Sequence, residues 1–156
     1  MRYVALDLGD KRTGIALGDD ASRLASPLDI VEVPLVRREG DDLIAALSRL
    51  LDREVGHTPF TFVLGLPLDM DTGREGPRAA LTRRFGERLA LVTGRPVLYH
   101  DERLTTDAAR WSLAGQSRAG KKARKDAVAA AAILSDFFST RDPPRANDPP
   151  QGGAFT

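Results

Sequence analysis

The run Phe60-Thr61-Phe62-Val63-Leu64-Gly65-Leu66 is apolar at nearly every position, so no alternation gives it a wet face. A strand of that kind is covered on both sides, as the inner strands of α/β sheets are. Neighbouring segments supply the cover. Asp41 to Arg53 sets Leu43, Ile44, Leu47, Leu50 and Leu51 at the three- and four-residue spacing of an amphipathic helix. Gly76 to Val92 does the same with Ala80, Leu81, Phe85, Leu89 and Val92, and Gly94 stands where a helix-ending C′ glycine belongs. Residues 2–8 and 13–19 are apolar runs around the polar turn Gly9-Asp10-Lys11-Arg12, which reads as a β-hairpin. Pro27 to Val33 predicts a third strand and Pro96 to Tyr99 a short further one. Thr105 or Thr106 caps a helix running to Gly115, and a last helix runs through Phe138. The expected architecture is a mixed five-stranded sheet, an antiparallel meander plus parallel strands, flanked by helices.

A chain of 156 residues sustains one core, placed here in residues 1–138. Residues 139–156 read as a disordered tail, because from Arg141 onward they hold four prolines, two glycines and almost nothing to bury. No stretch approaches the ~20 apolar residues of a membrane span. The chain opens on a strand rather than a basic and then apolar leader, so the cytoplasm is the expected compartment and no membrane partner is expected. With no cysteine, disulfides and thiolate metal sites are excluded. Imidazole comes only from His57 and His100, so a metal site here is mainly oxygen-ligated, favouring Mg²⁺ or Mn²⁺.

Three acids stand out. Asp7 ends the strand Tyr3-Val4-Ala5-Leu6-Asp7-Leu8-Gly9, where a plain core strand needs no carboxylate and where a buried acid requires a partner or a cation. Gly9 beside it leaves space for a phosphate to approach. Glu102 follows the short strand at 96–99, next to a rival, Asp101; on extended chain the two project oppositely, so only one faces a site. Asp126 heads the face formed by Ala129, Ala130, Ile133, Leu134 and Phe137, and is also a good N-cap. In parallel sheets ligands collect outside the carboxyl ends of strands, where Asp7 and Glu102 are expected. His100 at a strand end reads as a local hydrogen-bonding residue, and Asp69 and Asp71 read as shaping the loop after Leu66.

The net charge is only +1, yet Arg103 to Lys125 holds seven basic residues against the single acid Asp107. Lys121, Lys122, Arg124 and Lys125 near a helix start oppose its macrodipole, so helix stability does not explain them. Together with Lys11, Arg12, Arg103 and Arg118 they are candidate contacts to nucleic-acid phosphates.

Four segments resemble the YqgF/RuvX family, a branch of the RNase H-like nucleases related to the RuvC junction resolvases. They are Leu6-Asp7-Leu8-Gly9 with Lys11-Arg12-Thr13-Gly14-Ile15-Ala16, Gly65-Leu66-Pro67-Leu68, Asp101-Glu102-Arg103-Leu104-Thr105-Thr106, and Asp126-Ala127-Val128-Ala129-Ala130-Ala131-Ala132-Ile133-Leu134. Asp69 stands where the family often has Asn, and Thr105 where Ser is frequent. The resemblance implies an RNase H-like fold, with Asp7, Glu102 and Asp126 as catalytic carboxylates holding Mg²⁺ or Mn²⁺. It implies cleavage of structured nucleic acid to a 5′-phosphate and a 3′-hydroxyl. The first expectation is a Holliday junction resolvase in DNA recombination and repair, for which a homodimer with two sites is suited. The alternative is a nuclease processing the 5′ end of pre-16S rRNA in ribosome biogenesis, or a non-catalytic nucleic-acid-binding module. The hairpin also resembles the phosphate-binding hairpin of sugar kinases and actin-like ATPases, which need a second lobe that this length does not accommodate.

Overall fold

The computed structural model describes residues 1–104 and 121–141. Strands β1 (Arg2–Leu8) and β2 (Thr13–Asp19) form the expected hairpin, and β3 (Leu24–Val31) pairs antiparallel with β2. On the other side of β1, β4 (Phe60–Leu66) and β5 (Val97–Asp101) run parallel to it. The sheet order is β3-β2-β1-β4-β5, the mixed sheet that the sequence predicts. The helices are α1 (Asp41–Glu54), α2 (Pro77–Thr93) and α3 (Lys121–Ser139). None of the described helices is long and apolar enough to cross a membrane. The helix expected from Thr105 or Thr106 to Gly115, with Trp111, lies outside the described residues, as do Arg118 and residues 142–156 of the expected tail.

Alternation along β1 sorts its side chains onto two cores. Val4, Leu6 and Leu8 join Phe60, Phe62 and Leu64 of β4 under α1 and α2. Tyr3 and Ala5 join Ala16 of β2 and Val63 of β4 under Ala130, Ala131, Ile133, Leu134, Phe137 and Phe138 of α3. β4 is buried along its whole length because both layers lie on it. Asp7 shares the parity of Tyr3 and Ala5, so it projects from the α3 face at the carboxyl end of β1.

α3 approaches β2 closely because the facing positions of that strand, Gly14, Ala16 and Gly18, are small. A side chain at Gly14 would collide with the backbone of Asp126. One at Gly18 would stand 2.7 Å from Leu134 Cδ2 and 2.8 Å from Phe138 Cε2. From Asp126 to Leu134 the helix rises about 12 Å, and from Gly14 to Gly18 the strand advances about 13 Å. Helix and strand therefore run alongside each other in the same direction, with Asp126 delivered to the level of Asp7, whose ladder partner is Gly14.

Several boundaries differ from expectation by a few residues. β3 starts at Leu24 rather than Pro27, since Leu24 already pairs with Asp19 across a turn in which Asp19 Oδ1 accepts from Ala21 N–H at 2.7 Å. Pro27 is tolerated because β3 is an edge strand, and the register slip at Ile15/Ala16 leaves Leu28 as a bulge. β5 continues past Tyr99 through His100 and Asp101, which pair with Gly65 and Leu66. α3 reaches Ser139, and Thr140 N–H still donates to the Asp136 carbonyl at 3.1 Å.

The loop after β4 is shaped by Asp69. Its Oδ1 accepts from the N–H groups of Asp71 (3.0 Å) and Thr72 (2.9 Å) and from the Thr72 hydroxyl (3.1 Å). Leu68 and Glu75 close the loop with an antiparallel bridge. The Thr72 and Asp71 amides, with help from the Thr72 hydroxyl and Arg103, hold the Asp69 carboxyl below its ordinary 3.8.

Two predictions follow from this packing. Gly14→Ala should lower stability by about 1–3 kcal/mol in urea titration, as overpacked sites do; an unchanged midpoint would show that α3 does not rest on Gly14. Because the Asp69 carboxyl titrates lower in the folded chain, its contribution is complete above about pH 4 and is lost as pH falls through the folded value. Asp69→Asn keeps the oxygen acceptor, so the Thr72 amide resonance, which should titrate below about pH 4 in the parent, should stay flat in the variant. An identical titration in both would assign it to another group.

Candidate active site at the carboxyl edge of the sheet

Asp7 and Asp126 line one open pocket of about 220 Å³, together with Gly9, Asp10, Lys11 and Arg12. Strand β1 brings the first carboxylate, α3 the second, and the β1–β2 turn brings the two cations. Both acids are half-buried, Lys11 is exposed and Arg12 half-buried. The turn is tight: Gly9 N–H donates to the Arg12 carbonyl at 2.8 Å, and a side chain on Gly9 would stand 2.6 Å from that same oxygen.

Three contacts from two residues that sequence reading did not find hold this turn. The Arg78 guanidinium, one residue inside α2, donates to the Leu8 carbonyl at 2.9 Å and also pairs with the Asp10 carboxylate. Leu35 N–H donates to the Asp10 carbonyl at 3.1 Å. Nothing in the local pattern around Arg78 announces this reach, because the contact joins residues 68 and 70 apart in sequence.

The rivalry between Asp101 and Glu102 resolves by charge pairing. Asp101 faces the Arg103 guanidinium, with Nη2 2.8 Å from Oδ2 and Nε 3.2 Å from each oxygen, and that hydrogen-bonded contact holds its carboxyl below the ordinary 3.8. Glu102 folds back over β4: its Oε1 lies 2.6 Å from where a Cβ on Gly65 would sit, beside Ile133 Cδ1 of α3 at 2.7 Å. Its carboxylate is therefore on the α3 face. Leu6 pairs with Leu64, so Gly65 stands level with Asp7 on the adjoining strand. Glu102 thus lies one strand over from Asp7 on the same face of the sheet, although it is not among the described residues that line the pocket.

Of the expected phosphate contacts, Lys11 and Arg12 line the pocket. Arg103 instead binds Asp101 and donates to the Asp69 carbonyl at 3.3 Å, tying the end of β5 to the loop after β4. Lys121, Lys122 and Arg124 fall in the first turn of α3. His100 does not bond locally, as expected of it; its Nε2 lies 2.6 Å from Asp136 Oδ2 of α3. A lone acid in the apolar run Ile133-Leu134-Ser135-Asp136-Phe137-Phe138 was the available signal for such a partner.

Among the described residues no group of three Asp, Glu or His side chains is gathered tightly enough to hold a metal ion as it stands. The donors nonetheless fit a hard cation in kind. Asp7 and Asp126 line one pocket, Glu102 lies over Gly65 one strand away, the chain has no thiol, and the adjacent imidazole is engaged by Asp136.

A family model described as "RuvX: Holliday junction resolvase" matches residues 1–140. A protein of Anaeromyxobacter sp. (strain Fw109-5), provisionally named a pre-16S rRNA nuclease, is 44% identical over 143 residues, covering 90% of this chain and 98% of that one. A protein of the same provisional name from Myxococcus xanthus (strain DK1622) is 40% identical, covering 92% and 91% of the two chains. Among solved structures, Thermus thermophilus RuvC in complex with a Holliday junction substrate superposes with a TM-score of 0.57 at 16% identity, covering 90% and 95%. That likeness concerns the fold, which is RuvC-like. The sequence matches go further, and by them the chain belongs to the RuvX (YqgF) family of nucleases.

Proposed function

We propose that this protein is a metal-dependent endonuclease that hydrolyses phosphodiester bonds in structured RNA, acting on the 5′ region of pre-16S rRNA in the cytoplasm. The observation that carries the chemistry is the meeting of Asp7 and Asp126, from opposite ends of the chain, in one pocket with Lys11 and Arg12. The provisional name shared by the relatives favours ribosomal RNA over the DNA junction that the sequence expectation put first.

Asp7, Asp126 and Glu102 would hold Mg²⁺ or Mn²⁺, which when bound activates a water and stabilises the leaving oxygen. The residues themselves bind and orient. Lys11 and Arg12 attract the phosphates flanking the scissile one and offset repulsion between the polyanion and the carboxylates. Gly9 lets the backbone come close to a phosphate. Gly65 leaves room for the Glu102 carboxylate, and Arg78 keeps the turn from swinging away from β1. Hydrolysis joins the water oxygen to phosphorus and breaks the bond to the 3′ oxygen, which takes up a proton and leaves as hydroxyl. Such positioned charge suffices without a Ser, Cys or His nucleophile.

The DNA-junction reading keeps one specific support, the description of the matching family model. It requires two sites related by a two-fold axis, since a junction is resolved by paired cuts.

The test is a cleavage panel with Mn²⁺ or EDTA on precursor rRNA carrying the 5′ extension, a four-way DNA junction and duplex DNA. Asp7→Asn and Glu102→Gln should each lower RNA cleavage by roughly 100-fold or more while retaining binding. Parent-level cutting by Asp7→Asn would overturn the site, and cutting in EDTA would overturn metal dependence. Symmetric paired cuts in the junction by a dimer, with the RNA left intact, would move the assignment to the resolvase. Gly65→Ala retains every acid yet displaces the Glu102 carboxylate, so its cleavage should fall below the parent's; parent-level activity would place Glu102 outside the reacting centre.

A further inference from the structure

The buried pair His100–Asp136 is used by no step above, and its position is informative. His100 is 6% exposed and Asp136 11%, their contact is 2.6 Å, and the Phe137 ring meets the imidazole edge-on at 6.0 Å and 88°. α3 lies chiefly along β1, β2 and β3, on the side of the sheet away from β5. Among the described residues this is the hydrogen bond that reaches from α3 to β5. It joins the helix that carries Asp126 to the strand whose next turn carries Glu102.

The surrounding contacts converge on one place. His100 pairs with Gly65 in the β4–β5 ladder. Gly65 is the residue over which the Glu102 carboxylate and the Ile133 methyl both lie. Ile133 stands one turn before Asp136 on α3. If the helix and β5 shift relative to each other, the space over Gly65 changes and the Glu102 carboxylate moves with it.

We propose that His100 and Asp136 form a positioning brace that fixes the Glu102 carboxylate relative to the pocket shared by Asp7 and Asp126. This inference rests on the reading of those three acids as the groups that hold a divalent cation. Neither His100 nor Asp136 touches the substrate. They act through the relative placement of β5 and α3; partners that hydrogen-bond a metal ligand directly set cation affinity by about 10–100-fold, and a brace at one remove belongs at the low end of that range. A buried imidazole and carboxylate have to remain paired, so a change of one partner alters the geometry rather than leaving it as it was.

The test uses the full chain and Mn²⁺ alone, followed by calorimetry in the absence of nucleic acid. His100→Leu and Asp136→Asn should weaken Mn²⁺ binding by about tenfold. RNA affinity measured in EDTA should stay within about twofold and kcat should fall with KM little changed, because the cationic turn at Lys11 and Arg12 is untouched. His100→Gln places an amide nitrogen near the Nε2 position and should restore most of the Mn²⁺ affinity. Thermal melting accompanies each variant; Asp136→Asn conserves volume and decides the matter if His100→Leu does not fold. Parent-level Mn²⁺ affinity in folded Asp136→Asn or His100→Leu would overturn the brace while leaving the nuclease reading intact. A His100→Gln protein as weak as His100→Leu would overturn it as well, since the hydrogen bond would not be what matters. Absence of Mn²⁺ binding by the parent chain would instead overturn the cation reading, and the brace with it.

Discussion

The contact between the backbone at Asp126 and the bare α-carbon of Gly14 is the constraint on which the rest of the molecule turns. A helix packed over ordinary side chains is held away from a sheet by their bulk. Here the small residues Gly14, Ala16 and Gly18 on the strand and the alanines of α3 let the two backbones close in, and dispersion contacts replace the missing side-chain volume. The consequence reaches beyond packing. Asp7 is opposite Gly14 in the ladder, so the residue that admits the helix is also the neighbour of the first site carboxylate. One glycine therefore joins the second core to the assembly of the site.

Charge is divided in a way that follows from what each group touches. Arg88 and Asp41 form a two-bond clamp between α2 and the start of α1, at 2.8 and 2.9 Å, and each moves the other's titration toward the charged form. Arg103 does the same for Asp101, and Arg78 anchors the β1–β2 turn. Such exposed pairs add little stability individually. What they contribute is placement: Arg78 and Arg103 tie turns at the carboxyl edge of the sheet to neighbouring elements, and Arg88 ties two helices to each other. Lys11 and Arg12 differ in lining the pocket itself, where a polyanion would meet them.

The hairpin and β4 were readable to the residue, because apolar runs, bounded in the hairpin by a polar glycine-containing turn, are local signals. The last helix was readable for the same reason. What escaped was decided by partners far away in sequence. His100 and Asp101 fell just beyond the strand expected at 96–99, yet the parallel ladder with Gly65 and Leu66 continues through them, and Asp136 satisfies the imidazole. The choice between Asp101 and Glu102 could not be made from alternation, since both sit where strand gives way to a turn; it was made by Arg103. Arg103 itself read as a phosphate contact from its place in a basic stretch, whereas its guanidinium is held between Asp101 and the Asp69 carbonyl.

The choice of substrate lies at yet another level, because a RuvC-like sheet with acids at its carboxyl edge serves any phosphodiester. Asp7 and Asp126 line one pocket with the turn that carries Lys11 and Arg12. Trimming an RNA end takes a single cut and asks for no fixed relation between two pockets. Resolving a junction requires two such pockets at a fixed separation and orientation, so its specificity must reside in an interface rather than in the pocket. The physical question that separates the two substrates is therefore how copies of the chain associate, and the acids at the edge of the sheet are indifferent to the answer.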